Sequence, residues 1–314
     1  MKEKELTAKS DRICAVVVTF NRKELLEECL AALLSQTRPL DEIIVTDNAS
    51  TDGTEDIIRT RFADITYVRL AENIGGAGGF HEGMKLAFEK GHDWIWVMDD
   101  DAIPMADALE KLTNCPMMPE DEVYALASAV LNRDGSTFLT HHRRVFDAKT
   151  LKERVIGAER YEDDYFQMDT ASFVGLLIRR EAIEKVGLPL KHFFIRFDDT
   201  EYSLRVREKG IMLTVSDSRV VHDEHGASSD KSTLRRQPFD WRDYYGFRNR
   251  IYTYKKHSRS GLRFYRNLFI DTLLVIGVIL VFRHSKFQST KILLRGTLDG
   301  LQGKLGKNID FLPD

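Results

Sequence analysis

The chain has few of the residues that mark secreted, membrane-spanning or metal-thiolate proteins. Among its 314 residues are three cysteines, Cys14, Cys29 and Cys115. They are odd in number and none has metal-ligand spacing, which argues against a disulfide framework and fits a reducing compartment. Seven prolines, no low-complexity run and no internal repeat exclude a disordered linker or a solenoid. Residues 1 to 11 are charged and lack an apolar stretch, so no secretory signal is expected. The longest predominantly apolar run, Leu268 to Phe282, is broken by Asp271 and Thr272. It is shorter than the ~20 residues of a spanning helix. The expectation is a cytoplasmic protein of one large domain, or of one domain with an appendage.

Basic residues are scarce in the body of the chain and acidic ones at its end. Residues 231–314 hold 17 Lys and Arg against 6 Asp and Glu, whereas the preceding 230 hold 29 against 43. A basic third on an acidic body is expected to meet something anionic, either a membrane face or nucleic acid. The apolar run has Arg266 before it and Arg283, His284 and Lys286 after it. A helix lying in the membrane interface, with its basic neighbours on anionic head groups, fits that pattern. A helix buried in an oligomer interface is the plainer alternative.

What is present is organised around Trp94 to Met98, a short apolar strand running into Asp99-Asp100-Asp101. Three adjacent carboxylates repel one another unless something positive sits between them. The pleat lets Asp99 and Asp101 face one point while Asp100 faces elsewhere. Two converging carboxylates without a nearby cysteine suit a hard divalent cation. An acidic turn before a helix would give the same pattern.

Before this lies a βαβαβ alternation. Strands are expected at Arg12–Val18, Glu42–Thr46 and about Ile65–Leu70, with Asn21 capping the first helix and a second helix from about Glu55 to Arg61. The first helix should bury Leu25, Leu26, Cys29, Leu30, Leu33 and Leu34 along one face. Such alternation means a parallel sheet with right-handed crossovers, whose ligands bind beyond the carboxyl ends of the strands. Asn73-Ile74-Gly75-Gly76-Ala77-Gly78-Gly79-Phe80 follows the third strand. It matches neither the dinucleotide fingerprint nor a P-loop. Its glycines either bring backbone N–H groups close to a phosphate or sugar at a helix start, or serve a turn of positive φ.

After the triple Asp, Val123–Leu131 reads as a strand, His141–Arg160 as a polar excursion and Asp169–Ile178 as a strand interrupted by a glycine. Phe197-Asp198-Asp199-Thr200-Glu201-Tyr202 opens a helix, a place where acidic residues are common caps. Ile211–Val215 is a strand, and Val220 to Gly226 carries His222, Asp223, Glu224 and His225.

These pieces together resemble an inverting family 2 glycosyltransferase with a GT-A fold, and more narrowly the bacterial galactofuranosyltransferases. The resemblance rests on Val18-Thr19-Phe20-Asn21-Arg22, the Asp47 to Thr54 loop, Asn73 to Phe80, Asp99-Asp100-Asp101, Phe197 to Tyr202, His222, and Asp243-Tyr244-Tyr245 with Arg248-Asn249. It covers roughly residues 12 to 250.

The resemblance implies an α/β fold with a mainly parallel, Rossmann-like central sheet flanked by helices. A nucleotide-sugar domain would occupy residues 1–230. A basic helical region, 231–314, would complete the acceptor site and meet a membrane or another subunit. Thr19, Phe20, Asn21, Arg22 and Asp47 would hold the uracil and ribose, Asn73 would place the donor, and Gly76, Asp99 and Asp100 would lie at the substrate. Asp99, Asp101 and His222 would bind Mn²⁺ or Mg²⁺, the imidazole tilting the choice toward Mn²⁺; Asp223, Glu224 or His225 could join or replace His222. Asp199 would be the general base, with Asp198 and Glu201 as rivals, Asp198 capping the helix and Glu201 holding an acceptor hydroxyl. The implied donor is UDP-galactofuranose or dTDP-L-rhamnose and the acceptor a lipid-linked glycan. The implied place is the inner face of the plasma membrane, with no nucleic-acid partner. Two departures stand out: the long mycobacterial members carry an additional N-terminal β domain, and Phe173 stands where their acceptor pocket is rich in Trp.

Overall fold

The structure, a computed structural model, describes residues 11–135, 138–222 and 237–312. Its first strand, β1 (Ile13–Thr19), is buried along all seven residues. Ile13, Ala15 and Val17 face one hydrophobic layer while Cys14, Val16 and Val18 face the other. Alternation that is apolar on both faces is what a central strand requires. β2 (Glu42–Asp47) and β4 (Trp94–Asp99) flank β1 in parallel, and β3 (Thr66–Arg69) pairs with β2. The helices between them are α1 (Lys23–Leu34), α2 (Thr54–Arg61) and α3 (Gly75–Glu89).

Beyond β4 come β5 (Ala102–Pro104), α4 (Ala108–Thr113), β6 (Val123–Leu131), β7 (Arg143–Asp147), β8 (Lys152–Val155), β9 (Tyr165–Met168), β10 (Thr170–Ala171), β11 (Leu176–Arg179), α5 (Arg180–Val186), α6 (Asp198–Arg207) and β12 (Ile211–His222). The large sheet runs β3-β2-β1-β4-β11-β6-β12-β5, with β9 also on β12. Following the pairings, β3, β2, β1, β4, β6 and β12 all point one way, and only β11, β5 and β9 run against them. The sheet is mainly parallel. One face carries Leu26, Leu30 and Ile58 with Leu109 and Leu112; the other carries Phe80 and Met84 with Ile183, Tyr202 and Val206. Helices therefore cover both faces, and the carboxyl ends of β1, β4 and β12 share one edge.

Several sequence expectations need correction. Asn21 does not cap α1: Arg22 precedes that helix, with no side-chain cap. On α1 Leu34 is 59% exposed, because at the helix end it points away from the face that buries Leu30 and Leu33. The Asp169–Ile178 segment is not one strand. Gly175 takes a φ of 69°, separating β10 from β11, and β10 joins β7 and β8 in a second, three-stranded sheet. The polar excursion thus hides a hairpin. Finally, β12 continues to His222 across a bulge between Val215 and Arg219.

Three helices close the described chain: α7 (Trp241–His257), α8 (Gly261–Phe282) and α9 (Lys286–Gln302). Asp240 caps α7, accepting from the Arg242 and Asp243 amides, while Asp243 reaches back to its N–H, a full capping box. Tyr244 and Tyr245 on α7 pack with Phe194, Ile292, Leu293 and Phe311, which fixes α7 and α9 to the sheet domain. The apolar run near the end is longer as a helix than as a sequence pattern. Ser260 caps α8, so the helix starts seven residues before Leu268 and reaches 22 residues, long and apolar enough to cross a membrane. Within it only Phe264 and Ile279 are buried, and Phe269, Leu274 and Val281 are exposed by 64%, 64% and 71%.

Candidate active site

Parallel pairing of β1 with β4 sets Val18 beside Asp99, so Thr19 and the three aspartates emerge together. Thr19 Oγ1 donates to Asp100 Oδ2 at 2.7 Å. Arg22 donates to Asp100 Oδ1 at 3.3 Å and to Asp101 Oδ2 at 2.8 Å. Pairing of β5 with β12 places His222 opposite Ala102, next to Asp101, and His222 Nε2 lies 3.2 Å from Asp101 Oδ1. One ligand atom each from Asp99, Asp101 and His222 falls within 4.8 Å of the others. Asp223, Glu224 and His225 lie outside the described residues.

The electrostatics match a cation site. Burial, then the Asp101 carboxylate, pushes Asp99 up to about 7. Burial pushes Asp100 up to about 6 against the Thr19 hydroxyl and Arg22. Asp101 is buried too, but the His222 imidazole and Arg22 outweigh burial and hold it below the ordinary value. Two oxygen ligands and one imidazole nitrogen, with one carboxylate already reluctant to ionise, form a donor set suited to a divalent cation such as Mn²⁺ or Mg²⁺. The residues fit the group.

Two adjoining clefts open over this edge. The first, about 310 Å³, is lined by Thr19, Phe20, Arg22, Asn48, Asn73, Gly75, Gly76, Asp99 and Asp100, and is closed by Phe194, Ile195, Trp241 and Arg242. Gly75 begins α3 at a φ of 80°, and a Cβ there would lie 2.0 Å from the Phe194 carbonyl oxygen. The positive-φ reading therefore holds at Gly75, where the helix start also packs against the Phe194 carbonyl. The second cleft, about 360 Å³, shares Arg22, Gly76, Asp99 and Ile195, and adds Asp101, His222, Ser172, Phe173, Arg196, Asp198 and Asp199.

Asp198 and Asp199 both face this second cleft, at the first turn of α6. Burial and the Asp199 carboxylate push Asp198 well above the ordinary value. Burial raises Asp199 as well, but the Arg144 guanidinium and the Thr200 amide oppose it. That amide donates to Asp199 Oδ1 at 2.5 Å. Of the two, Asp199 has the cation that favours its ionised, proton-accepting form.

Three residues expected at the substrate stand outside the cleft linings. Glu201 is fully buried; Arg205 Nε donates to its carboxylate at 2.9 Å and Lys256 Nζ at 2.9 Å, so it ties α6 to α7. Asp47 is also fully buried, its oxygens taken by the Ser50 amide and hydroxyl and by the Tyr67 hydroxyl. Asn21 accepts from the Thr51 amide at 2.7 Å and so staples two loops together. Trp241 and Arg242 line the first cleft without having been expected there. Their aromatic and basic character is visible in the sequence, but only the packing of α7 on the sheet edge brings them here.

The match to known proteins follows the same geometry. The model of glycosyl transferase family 2 matches residues 14–187. Galactofuranosyltransferase GlfT1 of Mycobacterium tuberculosis is 31% identical over 273 residues, 81% of this chain and 84% of that protein. Its namesake in Mycolicibacterium smegmatis is 32% identical over 201 residues, so the chain spans 66% of that relative. The dTDP-rhamnosyl transferase RfbF of Shigella flexneri is 27% identical over 95% of this chain and 98% of its own. Among solved structures, a mannosyltransferase from Pyrobaculum calidifontis, determined with GDP-Man and Mn²⁺, superposes with a TM-score of 0.57 at 18% identity, covering 95% of this chain and 89% of that one. The chain has the GT-A fold and belongs to glycosyl transferase family 2, as a glycosyltransferase.

Proposed function

We propose that the enzyme transfers a galactofuranosyl residue from UDP-galactofuranose, with inversion, to a hydroxyl of a lipid-linked glycan at the inner face of the plasma membrane. One observation carries the reading: Asp199 faces the same cleft as the Asp99, Asp101 and His222 cluster. A base and a cation site on one cavity are the requirement for direct displacement of a nucleoside diphosphate. Asp99, Asp101 and His222 would hold Mn²⁺ or Mg²⁺, which would supply Lewis-acid neutralisation of charge on the leaving diphosphate.

The chain's own groups do the rest. Phe20 and Trp241 offer faces to the nucleobase, Asn48 and Asn73 hydrogen-bond the nucleoside, and Arg242 adds positive charge at the mouth. Thr19 and Arg22 hold Asp100 so that Asp99 and Asp101 keep the cation side. Asp199 takes the acceptor proton on Oδ2, since Oδ1 already accepts the Thr200 amide. The freed oxygen attacks the anomeric carbon opposite the nucleotide, and a single displacement inverts it.

The donor assignment draws on the similarity to GlfT1. The lipid-linked acceptor draws on the exposed apolar face of α8, with the exposed Arg263 and Arg266 beside it for anionic head groups. A second reading, transfer of L-rhamnose from dTDP-L-rhamnose, is favoured by the near full-length similarity to RfbF. Supplying each donor with Mn²⁺ and a lipid-linked glycan extract separates the two. Turnover of dTDP-L-rhamnose alone sinks the galactofuranose version.

A further inference from the structure

The segment that carries Asp198 and Asp199 to the cleft has an unfavourable backbone. Phe194, Arg196 and Phe197 take φ values of 67°, 64° and 68°. Three left-handed residues, none of them glycine, within four positions do not persist unless their surroundings impose the shape. This segment is also the wall between the two clefts: Ile195 lines both, Phe194 the first, and Arg196 the second.

Two adjacent side chains of α7 impose that shape. Arg248 and Asn249 are 1% and 0% exposed. Asn249 Nδ2 donates to the carbonyls of Phe193 at 3.0 Å, Ile195 at 3.0 Å and Arg196 at 2.8 Å. Arg248 Nη2 donates to the carbonyls of His192 at 3.2 Å and Phe193 at 2.9 Å. The amide orientation is itself fixed, because Arg248 Nε donates to Asn249 Oδ1 at 2.9 Å, which turns Nδ2 toward the segment. The Ala77 amide at the start of α3 takes the Phe194 carbonyl at 3.1 Å, and the Glu201 amide takes that of Phe197 at 2.9 Å. Every carbonyl from His192 to Phe197 is thus held, and side chains rather than regular structure hold most of them. Secondary structure cannot do this, because a left-handed turn presents its carbonyls at no repeating spacing.

We propose that Asn249, its amide oriented by Arg248, is a positioning residue for Asp199: it holds the 193–197 segment in the one shape that aims the base at the acceptor. This rests on the reading of Asp199 as the base. Displacing a reacting group by about 1 Å costs on the order of a hundredfold in rate. Removing the amide donor should act on turnover and leave the nucleotide contacts of β1 and β4 in place.

The test is a double-variant cycle in the full chain with Asn249→Asp, whose carboxylate has the same size but cannot donate. Asn249→Ser serves as the second variant in case the buried carboxylate unfolds the protein. Release of UDP from UDP-galactofuranose, or of dTDP from dTDP-L-rhamnose, with Mn²⁺ and a lipid-linked glycan extract gives the rate, and hydrogen exchange of residues 193–201 gives the state of the segment. The expected result is a kcat lower by roughly ten- to a hundredfold, a donor KM within about threefold, and faster exchange in 193–201 with β1 and β4 unchanged. In an Asp199→Asn background the same change should cost nothing further, because the two act as one unit. Losses that multiply, or an unchanged exchange rate in 193–201, overturn the proposal. Full activity of Asp199→Asn by itself overturns the base assignment instead, so the two failures are told apart.

Discussion

Thr19 Oγ1 donates to Asp100 Oδ2 at 2.7 Å, joining the last residue of β1 to the first residue past β4. This contact explains why three consecutive aspartates can coexist. The middle one is turned toward Thr19 and Arg22, Arg22 also holds Asp101 Oδ2, and Asp99 and Asp101 Oδ1 lie toward His222. Replacing Thr19 by Val keeps the shape and removes the bond. Mn²⁺ affinity, followed by electron paramagnetic resonance, should fall about tenfold, the usual scale for a group that orients ligands. Asp101→Asn should abolish binding. Wild-type affinity in Asp101→Asn would place the cation elsewhere.

The raised carboxylates make stability depend on pH. Asp99 titrates near 7 in the folded chain against an ordinary 3.8. Between those values the folded chain holds a proton that the unfolded chain has lost, so this group's contribution falls as pH rises. His142, buried and pushed far down, acts in the opposite sense below its ordinary 6.5. Comparison with Asp99→Asn isolates the carboxylate. Without divalent cation, the melting point of the variant relative to wild type should rise by a few degrees between pH 5 and pH 8. An equal difference at both pH values would contradict the shift.

Glu201 is a tie rather than a substrate ligand. It is fully buried between Arg205 and the half-exposed Lys256. Glu201→Gln should destabilise the fold by about 3 kcal/mol, as breaking one side of a buried ion pair does. Below its lowered melting point, the donor KM should stay at the wild-type value. A raised donor KM with unchanged stability would return Glu201 to the binding site.

The exposed face of α8 predicts association with anionic vesicles. Phe269, Leu273 and Leu274 are 64%, 52% and 64% exposed. Flotation with vesicles containing phosphatidylglycerol should drop severalfold in Leu273→Gln/Leu274→Gln and weaken with added salt. A chain that never floats but loses dimers in that variant would assign the face to a second subunit.

Local patterns were enough for the sheet and the acidic edge. β1, β2 and β4 announce themselves as apolar runs ending in polar residues, and Thr19, Asp99 and Asp101 stand at such ends, while Asp199 opens α6. Long-range packing hid the rest. Nothing near Glu201 in the sequence says that Lys256, 55 residues on, will occupy it. Asp47 resembles a ligand until Ser50 and Tyr67 fold over it. Trp241 and Arg242 reach the first cleft only through the docking of α7, and the apolar run near the end conceals how far Ser260 extends its helix.

The central claim is that Asp199, and not its neighbour, takes the acceptor proton. The rate of UDP release from UDP-galactofuranose with Mn²⁺, measured for Asp199→Asn and Asp198→Asn beside UDP affinity by calorimetry, tests it most directly. Asp199→Asn should lose roughly a hundred- to ten-thousandfold in rate with UDP affinity unchanged. Asp198→Asn should lose far less, because burial and the neighbouring Asp199 carboxylate already disfavour the ionised form of Asp198, and an amide is neutral as well. A wild-type rate in Asp199→Asn, or the larger loss in Asp198→Asn, would contradict the account.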